Sequence, residues 1–337
     1  MGLESGTLGW VRTALLIPGA LLLACGDGDG SDPSMGTWST LVEDAPGALL
    51  RVWGTDADEA FAVGADGDGA GSLVFRSDGR TATRLDPGTS GDLWWVHGVG
   101  PDEVRMVGEA GTILSFRLST GAFAALPSPG GATLFGAWGT NADDVWYVGG
   151  RPFEPSGVVW RDRGDGARPA GGVPASTSST TVFKVHGFET GEVWMVGQRG
   201  RTWYFDGTAW SEPDAPTTDT LFTVHGVRPD RVFAVGGTID GVILAWDGAA
   251  WVDETPNGAP PLNGVWATDA ERAFAVGFNG TVLERTRDGE WRDFEGGRGT
   301  FDDLHAVWVD PSGALWAVGG LLAADPPTGG TLVRYAK

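Results

Sequence analysis

The stretch LFTVHGVRPDRVFAVGGTIDGVILAWDGAAW, Leu221 to Trp251, decides how the whole chain is read. It divides into three short apolar runs and the start of a fourth. Leu221 to Gly226 reads as strand A, Arg231 to Gly236 as strand B, Val242 to Trp246 as strand C, and Trp251 opens strand D. Asp247-Gly248 makes the turn from C to D.

Working outward, the unit recurs seven times. Strand A ends in an anchoring ring at Trp53, His97, Trp138, His186, His225, Trp266 and Trp308, at spacings of 44, 41, 48, 39, 41 and 42 residues. Eleven residues after each anchor stands a glycine preceded by valine: Gly64, Gly108, Gly149, Gly197, Gly236, Gly277 and Gly319. Composition alone does not produce identical offsets in every unit. Four short strands repeating at this interval are the pattern of a propeller blade. Four residues before the anchors stand Leu49, Leu93, Leu134, Val182, Leu221, Leu262 and Leu304. One residue before them stand Val52, Val96, Ala137, Val185, Val224, Val265 and Val307. In a regular strand these two positions fall on opposite faces, so both faces read as apolar, as for a sheet packed between two neighbours.

The seventh unit stops after its strand C, Gly330 to Tyr335. Its missing strand is found at the other end of the chain, where Gly36-Thr37-Trp38-Ser39 matches Gly207-Thr208-Ala209-Trp210-Ser211 with one residue deleted. A strand at about Thr37 to Val42 is therefore expected to complete the last blade and remove the open sheet edges. The chain reads as an all-β protein over residues 36–337: a seven-bladed β-propeller of four-stranded antiparallel blades, closed by its N-terminal strand.

Val52-Trp53-Gly54-Thr55 followed by Phe61-Ala62-Val63-Gly64, and Gly280-Thr281-Val282-Leu283, resemble the WGT…DVWAVG…GTILHWDG…W repeats of bacterial secreted propellers, which are abundant in myxobacteria. These units are also similar to photosystem II assembly-factor and Asp-box (BNR) propellers. The resemblance covers about residues 36–337 and implies the fold; it implies little about activity.

Residues 1–24 read as a lipoprotein signal peptide, with Arg12 before the apolar run TALLIPGALLLA, Thr13 to Ala24. Leu22-Leu23-Ala24-Cys25 resembles a lipobox, so Cys25, the single cysteine, is the expected lipidation site; residues 25–35 are an acidic tether. This implies an exported protein, held on a bacterial membrane by acyl chains at Cys25. The net charge of −21 argues against nucleic acid as a partner.

Chemistry is hard to find in the sequence. His97, His186 and His225 replace Trp at anchors, and His305 completes the four histidines. Each anchor ring offers an N–H donor able to satisfy a backbone carbonyl, and no local cluster of ligands joins them, so no metal and no cofactor is expected. Tyr147, Tyr204 and Tyr335 fall at strand positions and read as packing, not as the nucleophile of a sialidase-type enzyme. The carboxylate pairs Asp58-Glu59, Asp102-Glu103 and Asp143-Asp144 fall in the repeated A–B turn and read as turn formers. Ser77-Asp78-Gly79-Arg80-Thr81 and Arg287-Asp288-Gly289-Glu290-Trp291 resemble degenerate Asp-boxes, which are structural turns.

The A–B connection never varies, whereas the B–C connection varies widely, with gaps of 7, 3, 8, 3, 5, 3 and 11 residues. Variable loops on a rigid scaffold are where specificity sits. Blades 7 and 1 are expected to raise one rim carrying Leu321, Leu322, Asp325, Asp66 and Asp68, with Arg151 and Phe153 adding a contact from blade 3. The pair Trp94-Trp95 is a further candidate, with one ring expected to line the central channel. The leading expectation is a monomeric envelope or cell-surface scaffold, not an enzyme, that binds a protein or a glycan. The alternative is a glycoside hydrolase or lyase with carboxylates in the channel.

Overall fold

A computed structural model describes residues 36–152 and 154–337. Cys25, the signal peptide, the tether and Phe153 lie outside the described residues. The described chain forms seven antiparallel sheets of four strands each. Six of them are made of four consecutive strands, and the seventh joins Asp303–Val309, Leu315–Leu321 and Thr328–Ala336 to the N-terminal strand Thr37–Ala45. The protein is a seven-bladed β-propeller.

In blade 5 the expected strands B and C recur as Arg231–Gly236 and Val242–Trp246. Strand A runs two residues further than expected, Leu221–Arg228, because Arg228 pairs with Arg231 across the tight turn. The closing strand is also longer than expected. It pairs Trp38 with Tyr335, Thr40 with Val333, Val42 with Leu332 and Ala45 with Gly330, with two shifts of register on the way. The Trp38 ring packs 5.4 Å from Tyr335 and 6.3 Å from Phe294, and its indole N–H donates to the Gly296 carbonyl at 2.9 Å. The two chain ends are thus locked by an aromatic cluster as well as by the ladder.

Buried side chains fall into seven clusters, one between each pair of adjacent blades. Here the sequence expectation needs correcting. The residues four and one before each anchor do not face opposite ways: Leu49 and Val52 share the cluster between blades 7 and 1, and Leu93 and Val96 share that between blades 1 and 2. The cause is a β-bulge in strand A, where register slips between Leu49 and Arg51, Leu93 and Trp95, Leu134 and Gly136, Val182 and Lys184, Leu221 and Thr223, Leu262 and Gly264, and Leu304 and Ala306. One extra residue restores the phase of the alternation, so both apolar positions point into the same interface.

The B–C connections with a gap of three residues adopt one shared turn. Ala110, Arg199 and Asn279 take φ of 52°, 60° and 55°, each followed by a glycine at positive φ. A Cβ on Gly111 would lie 2.0 Å from the Gly130 carbonyl oxygen, so the glycine is required by close approach to the D–A connection as well as by its backbone angle.

Candidate functional site

The bulge builds the channel. The residue it leaves unpaired, three before the anchor, is Leu50, Trp94, Phe135, Phe183, Phe222, Asn263 or His305 in blades 1 to 7. Trp94 packs 5.1 Å from Phe135, Phe135 packs 5.3 Å from Phe183, and Phe183 packs 5.4 Å from Phe222. Trp94 also stands 6.0 Å from His305, past Leu50. An aromatic collar therefore runs around the start of strand A, on the face that carries the B–C and D–A loops. A bulge is a means of re-aiming one side chain, and here it does so in every blade.

The next residue in each strand A forms a floor beneath the collar. Trp95 donates its indole N–H to the Ala137 carbonyl at 2.8 Å, Lys184 Nζ donates to Phe135 O at 2.8 Å, and Thr223 Oγ1 donates to Asn263 O at 2.6 Å. Arg51 Nη1 reaches Val307 O at 3.3 Å, and its guanidinium lies 3.8 Å above the Trp95 ring. The Lys184 ammonium lies at the same 3.8 Å from that ring. Each of the four hydrogen bonds joins adjacent blades, and Lys184 on Trp95 spans from blade 4 to blade 2, so the floor ties the inner strands together. Burial pushes the Arg51 guanidinium down to about 9. Burial, with the Arg51 charge second, pushes the Lys184 ammonium well below its usual value.

The anchors form the third layer, toward the A–B turns. Their rings bridge from one blade to the next, but the expected donation of a ring N–H to a backbone carbonyl is found at His97 and His186 only. His97 Nε2 donates to Gly139 O at 3.2 Å, and His186 Nε2 donates to Gly226 O at 2.7 Å. His225 uses the reverse polarity, with Nδ1 accepting from the Ala267 amide at 3.0 Å. Burial and nearby cations hold all of these rings neutral: His97 is lowered to about 3, His186 to about 4, and His225 well below its usual value. Three tryptophan anchors instead lie on glycines of the next blade, Trp53 on Gly98, Trp138 on Gly187 and Trp308 on Gly54. Trp266 stacks on His225, with ring centroids 3.9 Å apart. At this end Trp53, His225, Trp266 and Trp308 line a cavity of about 570 Å³.

Across the three layers no position carries Asp or Glu. Among the described residues no group of three or more His, Cys, Asp or Glu side chains is arranged to hold a metal ion. The A–B turn carboxylates have a further use that sequence reasoning missed. Glu59 grips Arg76 with two bonds of 2.7 Å, Asp144 grips Arg161 with two of 2.6 Å, and Glu103 pairs with Arg117 at 3.0 Å. The second acid of each pair thus binds an arginine on strand C, while the aspartates of the C–D turns accept backbone N–H bonds, as Asp78 does from Arg80 and Thr81.

The expected partner-binding residues are placed as follows. Trp94 and Trp95 both face the channel, Trp94 in the collar and Trp95 in the floor. Leu321 is 56% exposed and pairs with Thr328, so strands narrow the expected insertion to a short hairpin tip that carries Leu322 and Asp325. That hairpin joins blade 1 through the Ala48 amide, which donates to Pro327 O at 3.1 Å. Asp66 is engaged within its own ridge: its carboxylate accepts from the amides of Gly71 and Gly91, both at 3.1 Å. Asp68 lies at the loop tip and accepts from the Ala70 amide. A continuous ridge therefore runs from blade 7 across Pro46–Ala48 to blade 1. Arg151 is exposed on blade 3, within 3.7 Å of Glu154. It is set apart from that ridge.

A second concavity, which the sequence reading missed, lies between blades 3 and 4. It encloses about 1000 Å³ and is lined by Trp146, Phe205 and Trp210 with Arg161, Arg163 and Arg168. Trp210 is part-buried against the core between blades 3 and 4, 5.8 Å from Trp146 and 5.1 Å from Phe205, on the side where strand D of blade 3 is only Arg168–Pro169.

Comparison with known proteins supports the architecture. No family model matches the chain. The structure of YCF48 bound to a D1 peptide superposes with a TM-score of 0.66 at 16% identity, covering 91% of this chain and 96% of that one. YCF48 from Cyanidioschyzon merolae gives 0.64 at 14% identity, covering 89% of this chain and 98% of that one. The WD40 repeats of RRP9 give 0.69 at 10% identity, again covering 89% and 98%. These likenesses are in fold. In sequence, the immune protein Tsi7 of Pseudomonas aeruginosa is 32% identical over 78 residues, 23% of this chain and 24% of that protein's length.

Proposed function

We infer that this propeller is a non-catalytic scaffold for a protein partner, engaged on the loop face and held at a bacterial membrane through Cys25. The observation that carries the reading is the aromatic collar Trp94-Phe135-Phe183-Phe222, part-exposed at Trp94, Phe183 and Phe222 on a closed ring and set among the B–C connections, which vary most in length. Large aromatic groups with little conformational freedom are suited to anchoring a partner. The similar fold of YCF48 bound to a D1 peptide supports a protein ligand. Hydrolysis by a pair of acids is disfavoured, since the channel layers carry Arg51, Lys184 and neutral histidines in place of carboxylates. A glycan reading has one observation in its favour, the groove at Phe205 and Trp210, whose part-exposed rings can stack on sugars.

The test is affinity capture from envelope extracts with three proteins: the wild type, Phe222→Asp with Leu321→Asp, and Val227→Asp, which places a charge at the opposite end of strand A. A partner of the loop face is lost with the first variant and kept by the second. Equal capture by all three refutes the assignment of the face. Cys25→Ser is expected to release the protein from membranes, and its retention there would count against lipidation.

A further inference from the structure

The channel floor presents a charge problem. Arg51 is 2% exposed and Lys184 is 4% exposed, and neither takes part in any ion pair among the described residues. This is so in a chain with 44 Asp and Glu against 23 Lys and Arg. Carboxylates are plentiful, and the other buried arginines have them: Arg285 is bound by Glu254 and Arg105 by Glu103. A buried charge without a counter-charge is strongly unfavourable. The Trp95 face, with Trp266 at 5.5 Å, offsets part of this for Arg51, and the Lys184 amine, pushed well below its usual value by burial and by Arg51, relieves its own share by losing its proton, which leaves the Arg51 charge without a counter-charge.

The hydrogen bonding is unbalanced in the same sense. Arg51 Nε and Trp94 Nε1 are buried donors without a partner. Lys184 uses one N–H on Phe135 O, and the surrounding histidines are neutral, with His305 held at about 3 and donating from Nδ1 to Leu50 O. The floor is rich in donors and positive charge and poor in acceptors. Water would accept from the N–H groups but would leave the charge uncompensated.

We propose that the channel floor is a binding site for a small monovalent inorganic anion of halide size, whose single charge is balanced by Arg51, with Lys184 beside it and the free N–H groups of Arg51 and Trp94 as donors. Size follows from packing: Trp95 is 7% exposed and fixed by its bond to Ala137 O, so a larger ligand would have to displace a ring that ties two blades together. The site is separate from the collar above it, and it is filled whether or not a partner is engaged.

The test uses the full exported chain at fixed ionic strength, with chloride exchanged for gluconate, which is too large for the floor. Two readings are taken: the thermal midpoint and the line width of ³⁵Cl NMR with the protein present. Chloride is expected to raise the midpoint by on the order of 5 °C at about a hundred times its Kd. It is also expected to show excess line broadening that bromide displaces. Lys184→Met with Arg51→Met removes both basic groups at similar volume; it is expected to lose the broadening and to melt at one temperature in either salt. Should that double variant fail to fold, Lys184→Met alone is expected to weaken chloride binding at least tenfold by displacement. Wild-type protein that melts identically in both salts and broadens no chloride signal overturns the proposal. So does a folded variant that keeps the wild-type response, because the anion would then sit elsewhere.

Discussion

Replacing His97 by Trp isolates the cost of keeping a neutral imidazole inside the ring. Burial, then the Arg51 charge and then His186 lower His97 from 6.5 to about 3. The unfolded chain binds a proton at this residue near its ordinary value, and the folded chain resists binding it. Stability from this group is therefore complete above pH 6.5 and is lost as pH falls from there toward about 3. Within that window one proton separates the two states, which corresponds to about 1.4 kcal/mol per pH unit. Tryptophan has room at this position, since residue 139 of the next blade is glycine, as are Gly98 beneath Trp53 and Gly187 beneath Trp138. The assay is denaturant unfolding of both proteins at about pH 6 and about pH 5, above the main carboxylate titration. The wild type is expected to lose about 1.4 kcal/mol more than His97→Trp over that interval. The comparison of slopes is insensitive to a constant change in packing. Equal slopes would mean that His97 takes up its proton in the folded state, and the reading of the anchor ring as neutral would fail.

Gly98→Ala would put a Cβ 2.0 Å from the Trp53 ring and is expected to lower stability by about 1–3 kcal/mol in a thermal melt, and an unchanged midpoint would refute the ring-on-glycine packing. Trp38→Ala removes the aromatic lock on Tyr335 and the bond to Gly296 O, and is expected to cost about 2–4 kcal/mol. Hydrogen exchange should then accelerate first in Leu332 to Tyr335, and protection kept there would argue against closure at this strand.

The candidate site was less legible than the fold. Trp94-Trp95 stood out in the sequence as an unusual pair, yet Phe135, Phe183 and Phe222 occupy the same register position and were not singled out. A bulge leaves no mark in composition, and without it these residues read as ordinary alternation within strand A. A ladder of hydrophobic positions at fixed offsets does carry one usable sign: an apolar pair spaced three apart in every unit belongs on one face only if a residue has been inserted between them. The groove at Trp210 escaped notice for a related reason, since the short strand D beside it belongs to another blade.

Seven equal offsets from anchor to glycine, and a first strand homologous to the absent last one, determined the blade count and the manner of closure from sequence alone. Those are properties of local patterns, repeated along the chain. What faces the axis was decided only in three dimensions. Arg51 and Lys184 come from blades 1 and 4, 133 residues apart, and meet on Trp95 because the ring closes and the bulge turns each inner strand toward its centre. No pairwise spacing in the chain encodes that meeting. It is fixed by the number of blades and the phase of one inserted residue, which together set who is opposite whom.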